Sequence, residues 1–131
     1  MENQKEYISF IKTHLKNEGF NIKNNVCYKI KNEMLFIVFF KKRMDGIYNT
    51  ELGISLDKNT KPSIKNVDFV DSPAIGININ KEEILNNYNE TILKFILNWF
   101  NDRDSLTKIK NLLSNNNLGY YISPKLKDKI K

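Results

Sequence analysis

Residues that bind metals or form disulfides are scarce in this chain of 131 residues, which contains one cysteine and one histidine. The lone Cys27 cannot close an internal disulfide, and with His14 it supplies only two of the four ligands of a structural zinc site. The composition therefore excludes disulfide-stapled domains and structural zinc domains.

Long hydrophobic runs are also missing. The longest, residues 34–40, is followed directly by Lys41, Lys42 and Arg43, whereas a membrane-spanning helix needs roughly 18 to 20 apolar residues. Residues 1–6 carry two acids and precede no apolar core, unlike a secretory signal. We therefore expect a cytoplasmic protein with no membrane partner.

Sequence motifs of the common enzyme classes are absent. The chain has no phosphate-binding Gly-x-x-x-x-Gly-Lys-Ser/Thr loop, no Gly-x-Gly-x-x-Gly, no Gly-x-Ser-x-Gly and no His-Glu-x-x-His. No acid is followed two positions later by lysine, the pairing typical of metal-dependent nucleases. These absences favour a protein that is not an enzyme and uses no cofactor, with an unrecognised hydrolase as a remote alternative.

The positive charge is concentrated at the C-terminal end. The net charge is +6, and residues 123–131 contribute half of it through four lysines, Lys125, Lys127, Lys129 and Lys131, against Asp128. Arg43 and Arg103 are the only arginines, and base recognition favours the planar arginine fork. Nucleic-acid binding through the tail and the basic strand ends is therefore the alternative hypothesis, behind protein binding.

The patterning predicts one domain, residues 1–122, followed by a flexible lysine-rich tail, residues 123–131. An apolar stripe through Tyr7, Ile11 and Leu15 predicts a first helix over residues 4–18, and Gly19 is a typical helix stop. Ser123 and Pro124 mark the end of the apolar pattern. We therefore expect no core contact from the tail.

Three strands are predicted next. Val26, Tyr28 and Ile30 alternate with polar residues, which indicates a half-buried strand with Cys27 pointing outward. Residues 34–40 are apolar at odd and even positions alike, as in a strand that is covered on both faces. Asp45 and Gly46 predict a turn before a third alternating strand over residues 48–56, so the three strands form an antiparallel meander.

The second half of the chain predicts weaker strands and two helices. Extended segments are expected at residues 64–70 and 75–79, before a helix that Asn80 and Glu83 open as a capping box. The apolar stripe of this helix is Leu85, Tyr88, Ile92, Phe95, Ile96 and Trp99. Asp104 is expected to cap a third helix, and residues 120–122 are a brief apolar return. The predicted fold is α+β, with an antiparallel sheet of four to five strands and the N-terminal helix and the C-terminal helix pair packed on it.

Three candidate chemical sites have ordinary structural explanations. His14 can be a general base, but a helix-edge histidine with one bonded ring nitrogen fits its position better. Cys27 needs a neighbour such as Lys29 to lower its pKa before it can act as a nucleophile, so a small structural cysteine is the favoured interpretation. Three acids, Asp57, Asp68 and Asp71, can share a divalent cation only if their loops converge.

Several segments together resemble the bacterial family known as domain of unknown function 4304. They are the helix end at Gly19 and Phe20, the strand at Tyr28, the strands over residues 35–43 and 48–54, and the late helix over residues 93–99. The resemblance covers about residues 7–113. It implies helices against an antiparallel sheet, and it implies no catalytic residue. Proteins of this size and design are similar to the immunity proteins of toxin systems.

The first functional hypothesis is therefore a protein-binding module, immunity-like or antitoxin-like, that occludes a protein partner such as a toxin or a second copy of itself. Because the helices can cover only one face of the central strand, we expect the partner on the other, with aromatic residues at its centre and charges at its rim. The expected binding face consists of Lys29, Phe36, Phe39, Phe40, Lys41, Lys42, Arg43 and Glu51.

Overall fold

A computed structural model describes residues 2–42, 44, 48–63, 67–71, 75–76, 82–115 and 120–129. The helices are α1 (Glu2–Asn17), α2 (Glu82–Asn101), α3 (Leu106–Asn115) and α4 (Pro124–Lys129). The strands are β1 (Asn21–Lys23), β2 (Val26–Lys31), β3 (Met34–Lys42), β4 (Tyr48–Ser55), β5 (Phe69–Asp71), β6 (Ile75–Gly76) and β7 (Tyr120–Ile122).

These strands form one antiparallel sheet. Its order is β1-β2-β3-β4-β5-β7, and β6 pairs with the start of β4. The predicted meander is confirmed, since β3 pairs with β2 on one side and with β4 on the other. Four of the seven strands within the described residues have three residues or fewer, which explains why the pattern predicted four to five.

The helices pack against one face of the sheet, here called the helix face. From β3 this face receives Phe36, Val38 and Phe40, all buried. The same core includes Tyr7, Ile11 and Leu15 of α1, Ile92, Ile96, Trp99 and Phe100 of α2, Ile109 of α3 and Leu126 of α4. The α+β class predicted from the sequence is therefore confirmed.

A glycine ends α1 as predicted. Gly19 has φ 94°, a conformation that costs glycine little. The amide of Phe20 donates to the carbonyl of Leu15 at 2.9 Å, and the amide of Gly19 donates to that of Lys16 at 3.1 Å. This bond pair is the Schellman arrangement, which satisfies the last helix carbonyls and turns Phe20 back into the core.

The opposite face of the sheet, here called the second face, is only partly covered. Leu35 and Ile37 of β3 are buried there together with Val67, which follows the long connection after β4. Val26, Tyr28 and Phe39 on the same face are half-buried, and Ile30 is 54% exposed. The second face is therefore closed over its middle and open toward β1.

The orientation of β2 differs from the sequence prediction. Cys27 lies in the helix-face core beside Val38, whereas Tyr28 and Ile30 lie on the second face. Cys27 therefore points into the main core and not outward. Since β3 is apolar on both sides, either set of β2 residues has apolar partners, and local alternation cannot choose between them.

Two helix details also differ. Phe95, predicted in the buried stripe of α2, is 47% exposed. The cap of α3 is Ser105 rather than Asp104, since the Ser105 hydroxyl accepts the amide of Lys108 at 3.2 Å. The turn at Asp45 and Gly46, the cap at Asn80 and the extended segment beyond Gly76 lie outside the described residues.

The C-terminal segment was expected to avoid the core, and the structure corrects this. Residues 124–129 form α4, whose Leu126 is fully buried. Ser123 is the cap of this helix, because its hydroxyl accepts the amide of Leu126 at 3.1 Å. Pro124 occupies the first helical position, where its missing N–H costs nothing. The Ser-Pro pair therefore begins a helix rather than ending the fold.

Candidate functional site

The expected binding face is divided between the two sides of the sheet. Phe36 and Phe40 lie on the helix face and are buried, at 2% and 0% exposure. Phe39 has the opposite parity, is half-buried and pairs with Glu51 of β4. The aromatic residues at the centre of the prediction therefore cannot contact one partner together, and of the three only Phe39 reaches the surface.

Lys29 also lies on the helix face, at the margin of the sheet opposite Phe36. Its Nζ donates to the carbonyl oxygen of Glu18 at 2.8 Å and lies 5.7 Å from the centroid of the Phe20 ring. Lys29 is therefore separated by the sheet from Phe39 and Glu51, which corrects its assignment to a common rim.

The basic cluster after β3 is described in part. Lys41 and Lys42 are exposed at the end of β3, where they pair with Asn49 and Tyr48. Their parities differ, so Lys41 shares the second face with Phe39 and Lys42 points to the helix side. Arg43 lies outside the described residues.

Four residues of the second face form a continuous surface, here called the β2 strip: Val26, Tyr28, Ile30 and Phe39. Val26 is the cross-strand partner of Phe39, and Tyr28 and Ile30 follow along the same side of β2. The sequence prediction missed the first three because it assigned them to the core. The available signal was the apolar character of both faces of β3. Because either face of β3 offers apolar neighbours, Val26, Tyr28 and Ile30 could lie on the face that the helices leave open.

Charges border the β2 strip. Lys23 of β1 pairs with Val26, and Glu51 pairs with Phe39, so one row across the sheet reads Lys23, Val26, Phe39 and Glu51. Lys23 and Lys41 are exposed and Glu51 is half-buried. An apolar strip bordered by charges has the anatomy of a protein-binding surface.

The candidate tail residues are fixed on a helix. Lys125, Lys127 and Lys129 are exposed on α4, and Lys131 lies outside the described residues. Because Lys125 and Lys129 are four residues apart, they share one face of the helix while Lys127 points elsewhere.

Two of the three acids considered for a cation, Asp57 and Asp68, bind groups of the protein itself. Asp68 accepts the hydroxyl of Ser123 at 2.6 Å and the amide of Leu56 at 2.8 Å, so its carboxylate joins the end of β4 to the start of α4. Asp57 accepts the amide of Asn59 at 2.9 Å. The side chain of Asp71 lies outside the described part of the chain, and the described residues contain no group of three potential metal ligands.

His14 takes the helix-edge position favoured from the sequence, whereas Cys27 is a small structural cysteine, as favoured, but lies in the core rather than outward. Nδ1 of His14 lies 2.9 Å from the carbonyl oxygen of Phe10, and the two rings are tilted by 35° with centroids 4.1 Å apart. Burial raises the pKa of the Cys27 thiol from 9.0 to about 11, only partly opposed by the charge of Lys12. The thiol is therefore protonated at neutral pH, the opposite of an activated nucleophile.

Comparison with known proteins finds no match, whether among family models, curated proteins or solved structures. The resemblance to the domain of unknown function 4304 family therefore stays a prediction. Among the described residues, no helix combines the length and the apolar character that spanning a membrane requires.

Proposed function

We propose that this protein is a non-enzymatic binding module, immunity-like or antitoxin-like, whose protein partner docks on the β2 strip. The observation that carries the proposal is the exposure of Ile30, at 54%, on the same side of β2 as the half-buried ring of Tyr28, with the half-buried ring of Phe39 at the other end of the strip beside Val26. Aromatic residues that are half-covered in the free protein are typical centres of interface energy, since a partner completes their burial.

The charges favour an acidic partner. Lys23 and Lys41 flank the strip, and the whole chain carries a net charge of +6. An acidic surface would be steered toward this side and would meet the rim lysines on contact. A second copy of this chain would bring the same positive charge to the contact, so the proposal commits to a different protein. The immunity-like role itself is an analogy of size and architecture.

Affinity capture from the native host tests the proposal with a matched pair of variants. Ile30→Asp places a charge in the strip, and Phe95→Asp places the same charge on a comparably exposed residue of α2 on the other side of the molecule. We expect the wild type and Phe95→Asp to retain one stoichiometric acidic protein, identified by mass spectrometry, and Ile30→Asp to lose it at unchanged thermal midpoint.

Photo-crosslinking locates the contact independently of affinity. A benzophenone side chain at position 30 should link to that protein, whereas the same group at position 95 should not. Equal capture by both aspartate variants, or crosslinking from position 95 alone, would contradict docking on the β2 strip.

Nucleic-acid binding is the second candidate, and α4 is the observation in its favour. The buried Leu126 anchors this helix, so Lys125 and Lys129 are presented on one fixed face. The double variant K125Q/K129Q should then reduce the salt slope of binding to duplex DNA or RNA by about 2, one unit for each lost phosphate contact. No binding at low salt, or capture that survives nuclease, would contradict this candidate.

A further inference from the structure

Strand β1 forms one end of the sheet in the described part of the chain, since the strand order begins with β1 and continues with β2. Its three residues, Asn21, Ile22 and Lys23, are all exposed. An edge strand presents backbone N–H and C=O groups that have no partner strand. The side of β1 that faces away from β2 is therefore free to receive another strand.

The hydrogen bonds between β2 and β3 show which backbone groups of β1 point outward. The amide of Phe40 donates to the carbonyl oxygen of Asn25 at 2.9 Å. Bonded and non-bonded pairs alternate in an antiparallel ladder, so the next bonded pair along β2 is Cys27 with Val38. The backbone groups of Cys27 therefore point away from β1. Ile22, which lies opposite Cys27, directs its N–H and C=O to the free edge.

The side chains of β1 define what an added strand would meet. The Ile22 side chain is 36% exposed and lies on the helix-face side, like its cross-strand partner Cys27. Asn21 and Lys23 have the opposite parity and lie on the second face. An apolar residue opposite Ile22 would reduce the exposure of that side chain, and the residues on either side of it would meet one amide and one ammonium group.

The charges at this edge favour an acidic segment. Lys23 is exposed, and Lys12 of α1 acts on the same pair of strands, since its charge opposes the rise in the pKa of Cys27. Glu18, the acid nearest to β1 in sequence, precedes the opposite end of the strand and lies beside Lys29. Opposite charges on neighbouring strands are favourable, and like charges are unfavourable. A second copy of the chain would bring its own Lys23 and Lys12, so an acidic segment fits this edge better.

From these features we infer that β1 receives an extended, acidic peptide segment as an additional antiparallel strand, with an apolar residue of the segment opposite Ile22 and an acidic residue opposite Lys23. In the antiparallel direction the acidic residue precedes the apolar one, and a polar residue follows it, opposite Asn21. The N–H and C=O of Ile22 supply the two central hydrogen bonds. The site adjoins the β2 strip but does not depend on it, because its bonds come from the backbone of β1.

Titration of ¹⁵N-labelled protein with a cyclic β-hairpin peptide tests the inference. The exposed strand of the peptide reads Thr-Glu-Val-Thr-Ser, and a matched peptide has lysine in place of the glutamate. Because cyclisation orders the strand before it binds, we expect a dissociation constant on the order of 1 mM. Saturable shifts should appear at the amides of residues 21–23, with slower hydrogen exchange at the Ile22 amide. The lysine peptide should bind about fivefold more weakly.

Variants of β1 separate the backbone bonds from the charge. Ile22→Pro removes the outward N–H while leaving the bonds to β2, so it should abolish the shifts, whereas Ile22→Val retains the N–H and should preserve them. Lys23→Glu should reverse the preference between the two peptides. Lys94→Glu, which changes an exposed lysine of α2, should leave that preference as it is in the wild type.

A peptide with an N-methylated valine keeps the test decisive if the proline variant does not fold. This peptide lacks the donor that reaches the Ile22 carbonyl oxygen, so it should not bind. The inference would be overturned by an absence of saturable shifts at residues 21–23, by binding that survives N-methylation, or by an acid preference that survives Lys23→Glu. Dimerisation of the protein alone through residues 21–23 would also overturn it, because a second copy would then occupy the edge.

Discussion

The two faces of β3 are equally apolar in sequence, yet the protein covers them in different ways. Phe36, Val38 and Phe40 share the helix-face core with side chains of α1, α2, α3 and α4. Leu35 and Ile37 on the second face are covered with Val67 from a connecting segment, and Phe39 on that face remains half-exposed. The comparison shows that apolar side chains on one face of a strand predict that this face is covered. They do not predict which segment covers it, or how completely.

The largest expected effect distinguishes the two faces directly. Phe36→Ala should lower the free energy of unfolding by about 3 to 5 kcal/mol, because it leaves a cavity beside the stacked Phe100. Phe39→Ala should cost less, about 1 to 2 kcal/mol, because part of that residue is already in contact with water. Urea unfolding measures both, and equal losses would mean that the second face is as tightly packed as the helix face.

The next effect concerns α4, which closes the helix face from the C-terminal end. Leu126→Ala should cost about 2 to 4 kcal/mol, since Leu126 is fully buried in the main core. Lys127→Ala is the matched control on the same helix and should change stability by less than about 0.5 kcal/mol. A Leu126→Ala variant as stable as its control would restore the hypothesis of a tail that does not contact the core.

A third effect arises because the helix face buries titratable groups. The folded-state pKa of Cys27 is raised from 9.0 to about 11, so its contribution to stability is fully present below pH 9 and is lost as pH rises through 11. Burial also raises the pKa of Tyr7, opposed by its hydrogen bond with Thr50. The Cys27 contribution is on the order of 2 kcal/mol.

Unfolding free energies measured from pH 8 to 11.5 separate these two groups. Cys27→Ala should be less stable than the wild type at pH 8 because of the lost side chain, but its stability should decline less steeply between pH 9 and 11. Tyr7→Phe should retain the Cys27 part of the decline. An unchanged slope in Cys27→Ala would show that the thiol does not titrate differently in the folded protein.

The smallest effect lies at the margin of the helix face, where exposed ion pairs replace packing. Asp104 accepts Lys108 Nζ at 2.8 Å, and this hydrogen bond, with a further contribution from Lys31, lowers the pKa of the carboxyl. Its contribution is therefore present at neutral pH and is lost as pH falls below about 4.

Asp104→Asn should cost less than about 1 kcal/mol at pH 7, because such pairs are screened by solvent. The difference from the wild type should diminish below pH 4 and in high salt. A difference that persists at pH 2.5 would assign the role of this residue to packing, or to its backbone carbonyl, which accepts Asn32 Nδ2 at 2.8 Å.

Much of the fold was predictable because it rests on local periodicity. The bounds of β2 and β4 follow closely from alternation and the position of β3 from its continuous apolar run, and the Schellman turn at Gly19 follows from glycine's tolerance of positive φ. The three-residue β1 was not predicted, because Asn21, Ile22 and Lys23 are all exposed and carry no alternation of burial. The candidate site was predicted less well, since Phe39, Lys41 and Glu51 share the second face while Lys29, Phe36 and Phe40 do not.

The sequence by itself determined the longer strands β2, β3 and β4, the helices α1, α2 and α3, and that both sides of β3 must be covered, because period and apolar content are properties of a chain segment alone. Tertiary structure decided which side of β2 faces the helices and whether Ser123 and Pro124 end the fold or begin α4. Both outcomes depend on partners distant in sequence: Cys27 is buried against α1 and α2, and Ser123 binds Asp68, 55 residues away. A local pattern cannot contain that information, because the free energy of burying a side chain depends on what covers it.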